Sequence, residues 1–187
     1  MSRIVYSLST SLDGYIVDAE GRFDWSVPDE EVFALATEEV QGLSAHLLGR
    51  RLYETMVYWE TADRDPDLDF AEAGFGRLWR ALPKLVFSST LTEVVGNSEL
   101  VAEPLAEAVA HLRSEHPDGE IGIGGAGLAA QAADLDLIDE YRIRVHPVLV
   151  GGGTPFFAHH GRHANLELLE SRTFASQVIY LRYGVRR

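Results

Sequence analysis

Apolar and polar positions alternate along the chain in two patterns, one typical of strands and the other of helices. Residues 4–9 are rich in β-branched and aromatic side chains, which predicts a strand. Residues 29–36 begin with acidic side chains, and the spacing of Val32, Leu35 and Ala36 gives a helix one buried face. The pattern therefore predicts a strand followed by a helix at the start of the fold.

The alternation continues along the rest of the chain. It predicts strands at residues 45–48, 84–88 and 120–123, helices at 50–56, 75–79, 106–115 and 128–133, and a loop at 61–69. Two longer strands, at 141–150 and 177–185, are separated by a glycine-rich loop. This order predicts an α/β fold in one three-layer α/β/α domain over residues 1–187. Its central sheet would be mostly parallel, with an antiparallel C-terminal strand.

Composition and charge narrow the choice of partners. The chain has 46% hydrophobic and 24% charged residues and no cysteine, which excludes thiolate catalysis and cysteine metal sites. Its net charge of −13 repels nucleic acids and anionic lipids, so we expect a small-molecule ligand, no nucleic acid and no membrane partner. No signal-peptide pattern and no apolar run of about 18 residues is found, which favours a cytoplasmic location.

A glycine-rich motif lies between a predicted strand and a predicted helix. Residues 122–127 read Gly-Ile-Gly-Gly-Ala-Gly and fit the G-x-G-x-x-G pattern. A Rossmann domain also needs an acidic residue near the end of the next strand, and residues 146–150 contain none. The loop still predicts a phosphate site, because glycines before a helix expose N–H groups at its positive end. The alternative is that Gly124 and Gly125 only permit a tight turn.

Two further strand ends carry groups that suit an anion. Arg50 and Arg51 follow Gly49 and place two guanidinium groups at the start of a helix. The end of the next predicted strand offers three hydroxyl groups, those of Ser88, Ser89 and Thr90. The alternatives are surface solubility for the arginines and turn capping for the hydroxyls. Three such strand ends in one domain indicate a long ligand with more than one phosphate.

A histidine-rich segment lies between the glycine-rich loop and the last predicted strand. His159, His160 and His163 are residue types that ligate metals, but they stand in a loop with no nearby carboxylate before Glu167. We therefore expect a solvated turn and no metal site.

Six segments, in this order, carry a family resemblance. They are SLDGYI at 11–16, LGRRLYE at 48–54, PKLVFSSTL at 83–91, IGGAGL at 123–128, LIDEY at 137–141 and PVLVGGGTPFF at 147–157. The chain resembles the dihydrofolate reductase-like superfamily over nearly its whole length. Within it, the chain is similar to the bacterial branch that includes the reductase domain of the riboflavin-biosynthesis deaminase-reductase.

The resemblance implies an NADPH-dependent reductase. The cofactor would be held by Gly49, Arg50, Arg51, Ser88, Ser89, Thr90, Gly124, Gly125, Ala126, Gly127 and Leu128. It also implies a cis peptide bond between Gly124 and Gly125. Related sequences often carry a basic residue at the position of Ser89, so NADH is a possible second cofactor unless Arg50 or Arg51 replaces that charge.

Some residues of this chain differ from those of the riboflavin-pathway reductases at positions that affect which substrate can bind. Riboflavin-pathway reductases carry a lysine early in the first strand where this chain has Ser7, and residues 55–59 replace their Asp-Asp-Pro segment. We therefore do not expect their phosphorylated ribitol-type substrate, although a 5-amino-6-ribosylamino-pyrimidinone-type reductase stays as an alternative. Folate reductases place a carboxylate shortly after a tryptophan and a proline, and Glu30 follows Trp25 and Pro28 with similar spacing.

The function that these features favour is hydride transfer from reduced nicotinamide to an aromatic or heterocyclic C=N or C=C bond. Asp13, Glu30 or a bound water would donate the proton, although Asp-Gly is also a common turn pair and acidic residues commonly start helices. The aromatic residues Trp25, Tyr53 and Trp59 would line the substrate cleft or else pack in the core. A nucleotide-binding protein of the same fold without turnover is the alternative from another class.

Two predicted strands near the C-terminus, at 166–170 and 178–183, have the sequence of exposed edge strands. An uncovered edge is prone to pair with another chain, and a symmetric dimer would cover it. We therefore expect a homodimer.

Overall fold

Strands and helices alternate along most of the chain in the computed structural model, which describes residues 2–158 and 163–187. The strands are β1 (Arg3–Ser11), β2 (Tyr15–Val17), β3 (Leu43–Gly49), β4 (Lys84–Phe87), β5 (Ser98–Val101), β6 (Glu120–Gly124), β7 (Glu140–His146), β8 (Thr154–Pro155), β9 (Asn165–Thr173) and β10 (Ile179–Arg186). The helices are α1 (Glu30–Gln41), α2 (Arg50–Met56), α3 (Phe70–Ala81), α4 (Leu105–Glu115) and α5 (Ala126–Asp134). Short 3-10 turns lie at Asp24–Ser26, Val57–Glu60 and Ala62–Arg64.

Eight of these strands form one sheet in the order β5-β4-β3-β6-β1-β7-β10-β9. The strands from β5 to β7 are parallel to their neighbours, whereas β10 is antiparallel to both β7 and β9. The predicted fold class, with its mostly parallel sheet and antiparallel C-terminal strand, is confirmed. Because the parallel strands share one direction, the loops that follow β1, β3, β4, β6 and β7 meet at one edge of the sheet.

Helices cover both faces of the sheet. On one face, α4 and α5 bury a cluster that includes Tyr6, Leu47, Ile121, Val109 and Ala132. On the other face, a second cluster joins the sheet to α2 and α3 through Leu48, Val86, Tyr53, Phe75 and Trp79. The consecutive residues Leu47 and Leu48 of β3 belong to different clusters, as the two-residue period of a strand requires.

Some element boundaries differ from those predicted. Helix α3 begins at Phe70, five residues before the predicted start at residue 75, because Asp69 and Glu72 form a capping box that the sequence analysis overlooked. Strand β7 ends at His146 rather than at residue 150, since Pro147 has no N–H to offer the sheet. Strand β5 was not predicted, because its four residues show little apolar pattern.

The far edge of the sheet is formed by β9, whose side chains are mostly exposed on both faces. Leu168 and Leu169 are 52% and 49% exposed. Among the described residues, no helix combines the length and the apolar character that crossing a lipid bilayer requires.

Candidate functional site

The loops that follow β3 and β6 lie against each other, because these strands are neighbours in the sheet. A Cβ atom on Gly125 would lie 3.5 Å from the Cα atom of Gly49, and one on Gly49 would lie 3.5 Å from the carbonyl oxygen of Gly124. A Cβ on Gly124 would collide with Leu52, at 2.2 Å from its Cδ2 atom. Glycine is therefore needed here for close packing of two loops at the carboxyl edge of the sheet.

The turn into α5 depends on the backbone of Gly125. This residue has φ of +91° and stands at the N-cap of α5, where its carbonyl oxygen accepts the first helical hydrogen bond, from Ala129 N at 2.9 Å. The peptide bond between Gly124 and Gly125 is trans, so the expectation of a cis bond is wrong. The left-handed conformation of Gly125 turns the chain instead. The N–H groups of Ala126, Gly127 and Leu128 come before the first N–H that has a helical acceptor, that of Ala129, and N–H groups without a helical acceptor suit an anion.

Guanidinium groups follow β3 and hydroxyl groups follow β4, the next two strands of the sheet beside this turn. Arg50 and Arg51 are exposed, and the only ion pair that the described contacts give Arg50 is a long one, 3.4 Å from Nη1 to Glu54 Oε1. The Ser88 Oγ atom accepts hydrogen bonds from the N–H groups of Thr90 (3.1 Å) and Leu91 (2.9 Å), which is the turn-capping role that the sequence left open. The side chains of Ser89 and Thr90 are exposed.

Asp13 connects the loop after β1 with the glycine-rich loop after β7. Its carboxylate accepts hydrogen bonds from Val150 N (3.2 Å) and Gly151 N (2.8 Å). A hydrogen bond with Ser11, together with these two N–H groups, lowers the pKa of the Asp13 carboxyl. These contacts are those of a turn residue, and a carboxyl group with a lowered pKa carries no proton to donate at neutral pH.

The other predicted site residues fall into two groups. Glu30 is exposed on the first turn of α1, and its neighbour Asp29 caps that helix by accepting a hydrogen bond from Val32 N at 2.8 Å. Tyr53 is buried, and its hydroxyl accepts a hydrogen bond from Val95 N at 2.8 Å. Trp59 packs against Phe75, with ring centroids 4.7 Å apart. Tyr53 and Trp59 thus contribute to the core that the sequence offered as their alternative role.

Trp25 lies elsewhere, at the carboxyl end of β7. Its indole ring meets the imidazole of His146 edge-on, with ring centroids 6.0 Å apart. His146 is 4% exposed. Burial and the positive charge of Arg144 lower the pKa of His146, while Asp29 opposes them. A role for His146 was not predicted from the sequence.

A buried layer of charged side chains separates α1 from β1, β7 and β10. Glu39 of α1 accepts hydrogen bonds from Ser7 Oγ (2.8 Å), Arg144 Nη1 (2.5 Å) and the Tyr180 hydroxyl (2.7 Å). Arg144 Nη1 also lies 3.1 Å from Ser7 Oγ. Arg144 therefore brings a positive charge to the position at which riboflavin-pathway reductases, by resemblance, carry a lysine on the first strand.

The layer continues toward the start of β7 around Glu140, which is 1% exposed. Its carboxylate accepts hydrogen bonds from Arg142 Nε (2.6 Å), Arg182 Nε (2.8 Å) and Arg3 Nη1 (3.0 Å). Burial alone would raise the pKa of Glu140, but the hydrogen bonds from Arg182 and Arg142 outweigh it and hold that pKa below its ordinary value. Glu140 is therefore ionised and fully paired.

The sequence of β7 contains a pattern from which this layer could have been predicted. In β7, charged or imidazole side chains occupy every second position, at Glu140, Arg142, Arg144 and His146, and apolar ones occupy the positions between. A two-residue period assigns such side chains to one face of a strand. A recess of about 510 Å³ lies at the opposite end of the sheet and is lined by residues such as Asp136, Tyr141 and Arg187.

Metal-binding residues do not gather in the described parts of the chain, where no group of three or more His, Asp and Glu side chains could hold an ion. The histidines His159 and His160 of the sequence motif lie outside the described residues.

Comparison with known families identifies the chain. The family model of the RibD C-terminal domain matches residues 2–180. The chain belongs to this family. The fold, with its sheet of parallel strands and antiparallel C-terminal strands, is the dihydrofolate reductase-like fold of RibD reductase domains, which confirms the resemblance found in the sequence.

Individual relatives agree with the family. The chain is 30% identical over 182 residues to the uncharacterized protein YyaP of Bacillus subtilis, covering 97% of this chain and 94% of YyaP. A candidate riboflavin biosynthesis protein from Shewanella sp. PV-4 is 26% identical, with a TM-score of 0.77 and 99% of both chains covered. A deaminase and 5-amino-6-(5-phosphoribosylamino)uracil reductase from Thermotoga maritima shares the fold, with a TM-score of 0.71 and 13% identity. The match covers 99% of this chain but 57% of that one.

Proposed function

We propose that this RibD C-terminal domain protein is an NADPH-dependent reductase, with NADH as a possible second cofactor. Its substrate would be a small aromatic or heterocyclic compound with a C=N or C=C bond. When bound, the reduced nicotinamide supplies a hydride. The residues of the chain would bind the nucleotide, orient the substrate and exclude water.

The contact between Gly49 and Gly125 is the observation that carries this proposal. It brings the loop with Arg50 and Arg51 against the start of α5, whose first N–H groups have no helical acceptor. Backbone N–H groups at a helix start and guanidinium groups are both donors that suit phosphate. The residues present thus fit a dinucleotide, with Gly124 to Leu128 at one phosphate and Arg50 or Arg51 at another.

The substrate class rests on the groups around the carboxyl ends of β1 and β7. Leu12 (63% exposed) and Leu149 (70% exposed) belong to the loops after these strands, and Val27 (74% exposed) follows the turn that carries Trp25. Exposed apolar side chains at a ligand-binding edge favour an apolar or aromatic substrate. The pyrimidine reductase-type substrate named for the Thermotoga protein is the alternative.

Titration with NADPH and with NADH, followed by tryptophan fluorescence at fixed salt, tests the cofactor. We expect micromolar binding of NADPH, its loss in Gly125→Val, and at least tenfold weaker binding in Arg50→Ala, because one charged phosphate contact is worth about 1.5–3 kcal/mol. Arg186→Ala, at the opposite end of the sheet, is the matched control and should bind as the wild type does. No binding of either nucleotide at millimolar concentration would overturn the proposal.

Turnover separates a reductase from a protein that only binds nucleotide. NADPH oxidation should require an added heterocyclic acceptor. NADPH binding and NADPH oxidation should both be lost in Gly125→Val. Glu30→Ala tests the predicted proton donor, and Asp13→Ala tests the turn role that its hydrogen bonds to Val150 and Gly151 indicate. NADPH binding without oxidation, across pterin, pyrimidine and aromatic imine acceptors, would favour the binding-only alternative.

A further inference from the structure

Two rings that meet face to edge at the carboxyl end of β7 each carry a buried nitrogen atom without a hydrogen-bond partner. Trp25 Nε1 and His146 Nε2 are buried side-chain atoms without a hydrogen-bond partner. An indole nitrogen can only donate, and a buried donor left unpaired costs about 1–3 kcal/mol. With ring centroids 6.0 Å apart, one small molecule can contact both rings.

The turn that covers His146 is held mainly by local contacts. Within Asp24–Ser26 and its flanks, Ser26 N and Ser26 Oγ both donate to the Phe23 carbonyl oxygen, at 2.9 and 2.7 Å. Phe23 and Val27, on either side, are 46% and 74% exposed. Trp25 is half-buried in this turn, with its Nε1 atom inside, and a ligand that reaches both nitrogens would have to displace the turn.

The indole N–H of Trp25 requires an acceptor, and the neighbouring charged groups are already paired. Arg144, two residues before His146 on the same face of β7, is paired with Glu39. Asp29 is already engaged as the cap of α1, and Glu30 is exposed. A ligand that presents only N–H donors, such as an amidine, would leave the indole N–H of Trp25 without an acceptor.

We propose that Trp25 Nε1 and His146 Nε2 form the polar end of the substrate site and that they select a flat aromatic ring bearing a carbonyl or carboxylate oxygen. This inference rests on the proposed reductase function and specifies its substrate class. It also distinguishes this chain from the folate-like arrangement in which a carboxylate recognises a donor-bearing ring.

Three probes of the same size and shape test the inference: 2-naphthoate, 2-naphthamide and 2-naphthamidine. Calorimetric titration of the full chain, with and without NADP⁺, should give naphthoate the highest affinity, at least tenfold above the amidine, with the amide between them. Tighter binding of the amidine, equal binding of all three, or no binding of any at millimolar concentration would overturn the inference.

Variants assign the preference to these two side chains. Trp25→Phe and His146→Phe keep the rings but remove the N–H groups, and each should weaken naphthoate binding at least fivefold. His146→Gln, whose amide nitrogen can occupy the position of Nε2, should restore most of it. His111→Phe, at a side chain 71% exposed on α4, is the control and should leave binding unchanged.

The outcomes distinguish this inference from the reductase function itself. Unchanged naphthoate binding in both His146→Phe and Trp25→Phe would overturn the inference. Absence of NADPH binding to the wild type would instead overturn the proposed reductase function. Each protein is therefore titrated with NADPH as well as with the naphthalene series. Circular dichroism spectra verify that the variants are folded.

Discussion

Arg144 Nη1 lies 2.5 Å from Glu39 Oε2, and both side chains are about nine-tenths buried. Through this pair, α1 is connected to the middle of β7 by charge rather than by apolar packing. Ser7 and Tyr180 donate to the same carboxylate, so that Glu39 is satisfied on both oxygen atoms. Removing either charge would leave its partner buried and unpaired.

Glu39→Ala should lower the free energy of unfolding by about 3–5 kcal/mol, because an uncompensated guanidinium group would remain in the interior. Urea denaturation measures the change. Glu167→Ala is the control, since its pair with Arg186 is 3.6 Å long and exposed, with an expected effect within about 0.5 kcal/mol. Equal effects of the two substitutions would contradict a buried, coupled layer.

Alanine substitutions at two glycines of the loop after β7 distinguish the cost of backbone strain from the cost of a steric collision. Gly151→Ala should cost about 1–2 kcal/mol, because Gly151 has φ of +76° but open space around its Cα atom. Gly153→Ala should cost about 2 kcal/mol more, since its Cβ would also lie 2.1 Å from the Val17 carbonyl oxygen. Thermal unfolding of both variants gives the comparison. A Gly153→Ala variant as stable as Gly151→Ala would show that β2 moves freely to accept the methyl group.

His46 should make the protein less stable as the pH falls. Burial lowers the pKa of His46 from 6.5 to about 4 in the folded state, so the unfolded chain binds a proton more readily between these values. The stability should therefore fall as the pH drops from about 6.5 to about 4, by about 3 kcal/mol from this group alone. Histidine NMR titration measures the pKa directly.

His46→Gln is the matching variant for that prediction. It should flatten the dependence of unfolding free energy on pH in this range, whereas His111→Gln, at an exposed position, should leave it unchanged. A folded-state pKa of His46 near 6.5 in the NMR titration would refute the prediction.

The edge strand β9 leads us to propose a homodimer. Leu166, Leu168 and Leu169 of β9 are exposed, and such an edge is a template for pairing. Sedimentation velocity should show a dimer, and Leu168→Lys should dissociate it. Phe70→Lys, at an apolar residue 88% exposed on α3, is the control and should remain dimeric. A monomeric wild type would refute the proposal.

The sequence predicted the order of elements well, because strands such as residues 45–48 and helices such as 50–56 have local patterns. The meeting of Gly49 with Gly125 could be anticipated from the rule that parallel strands end at one edge. The partner of Trp25 could not, since His146 comes more than a hundred residues later. The roles of Tyr53 and Trp59 depend on packing between α1, α2 and α3, which local patterns do not specify.

The two faces of β7 also constrain how the sheet assembles. Tyr141 and Ile143 are buried against α5, while Glu140, Arg142 and Arg144 are buried against the α1 side. A slip of one residue in the pairing of β7 with β1 would turn the arginines into the apolar core and the tyrosine onto the carboxylates. Misregistered intermediates would therefore be strongly disfavoured during folding. The charged layer is therefore expected to favour the correct strand register, a role separate from any contribution to net stability.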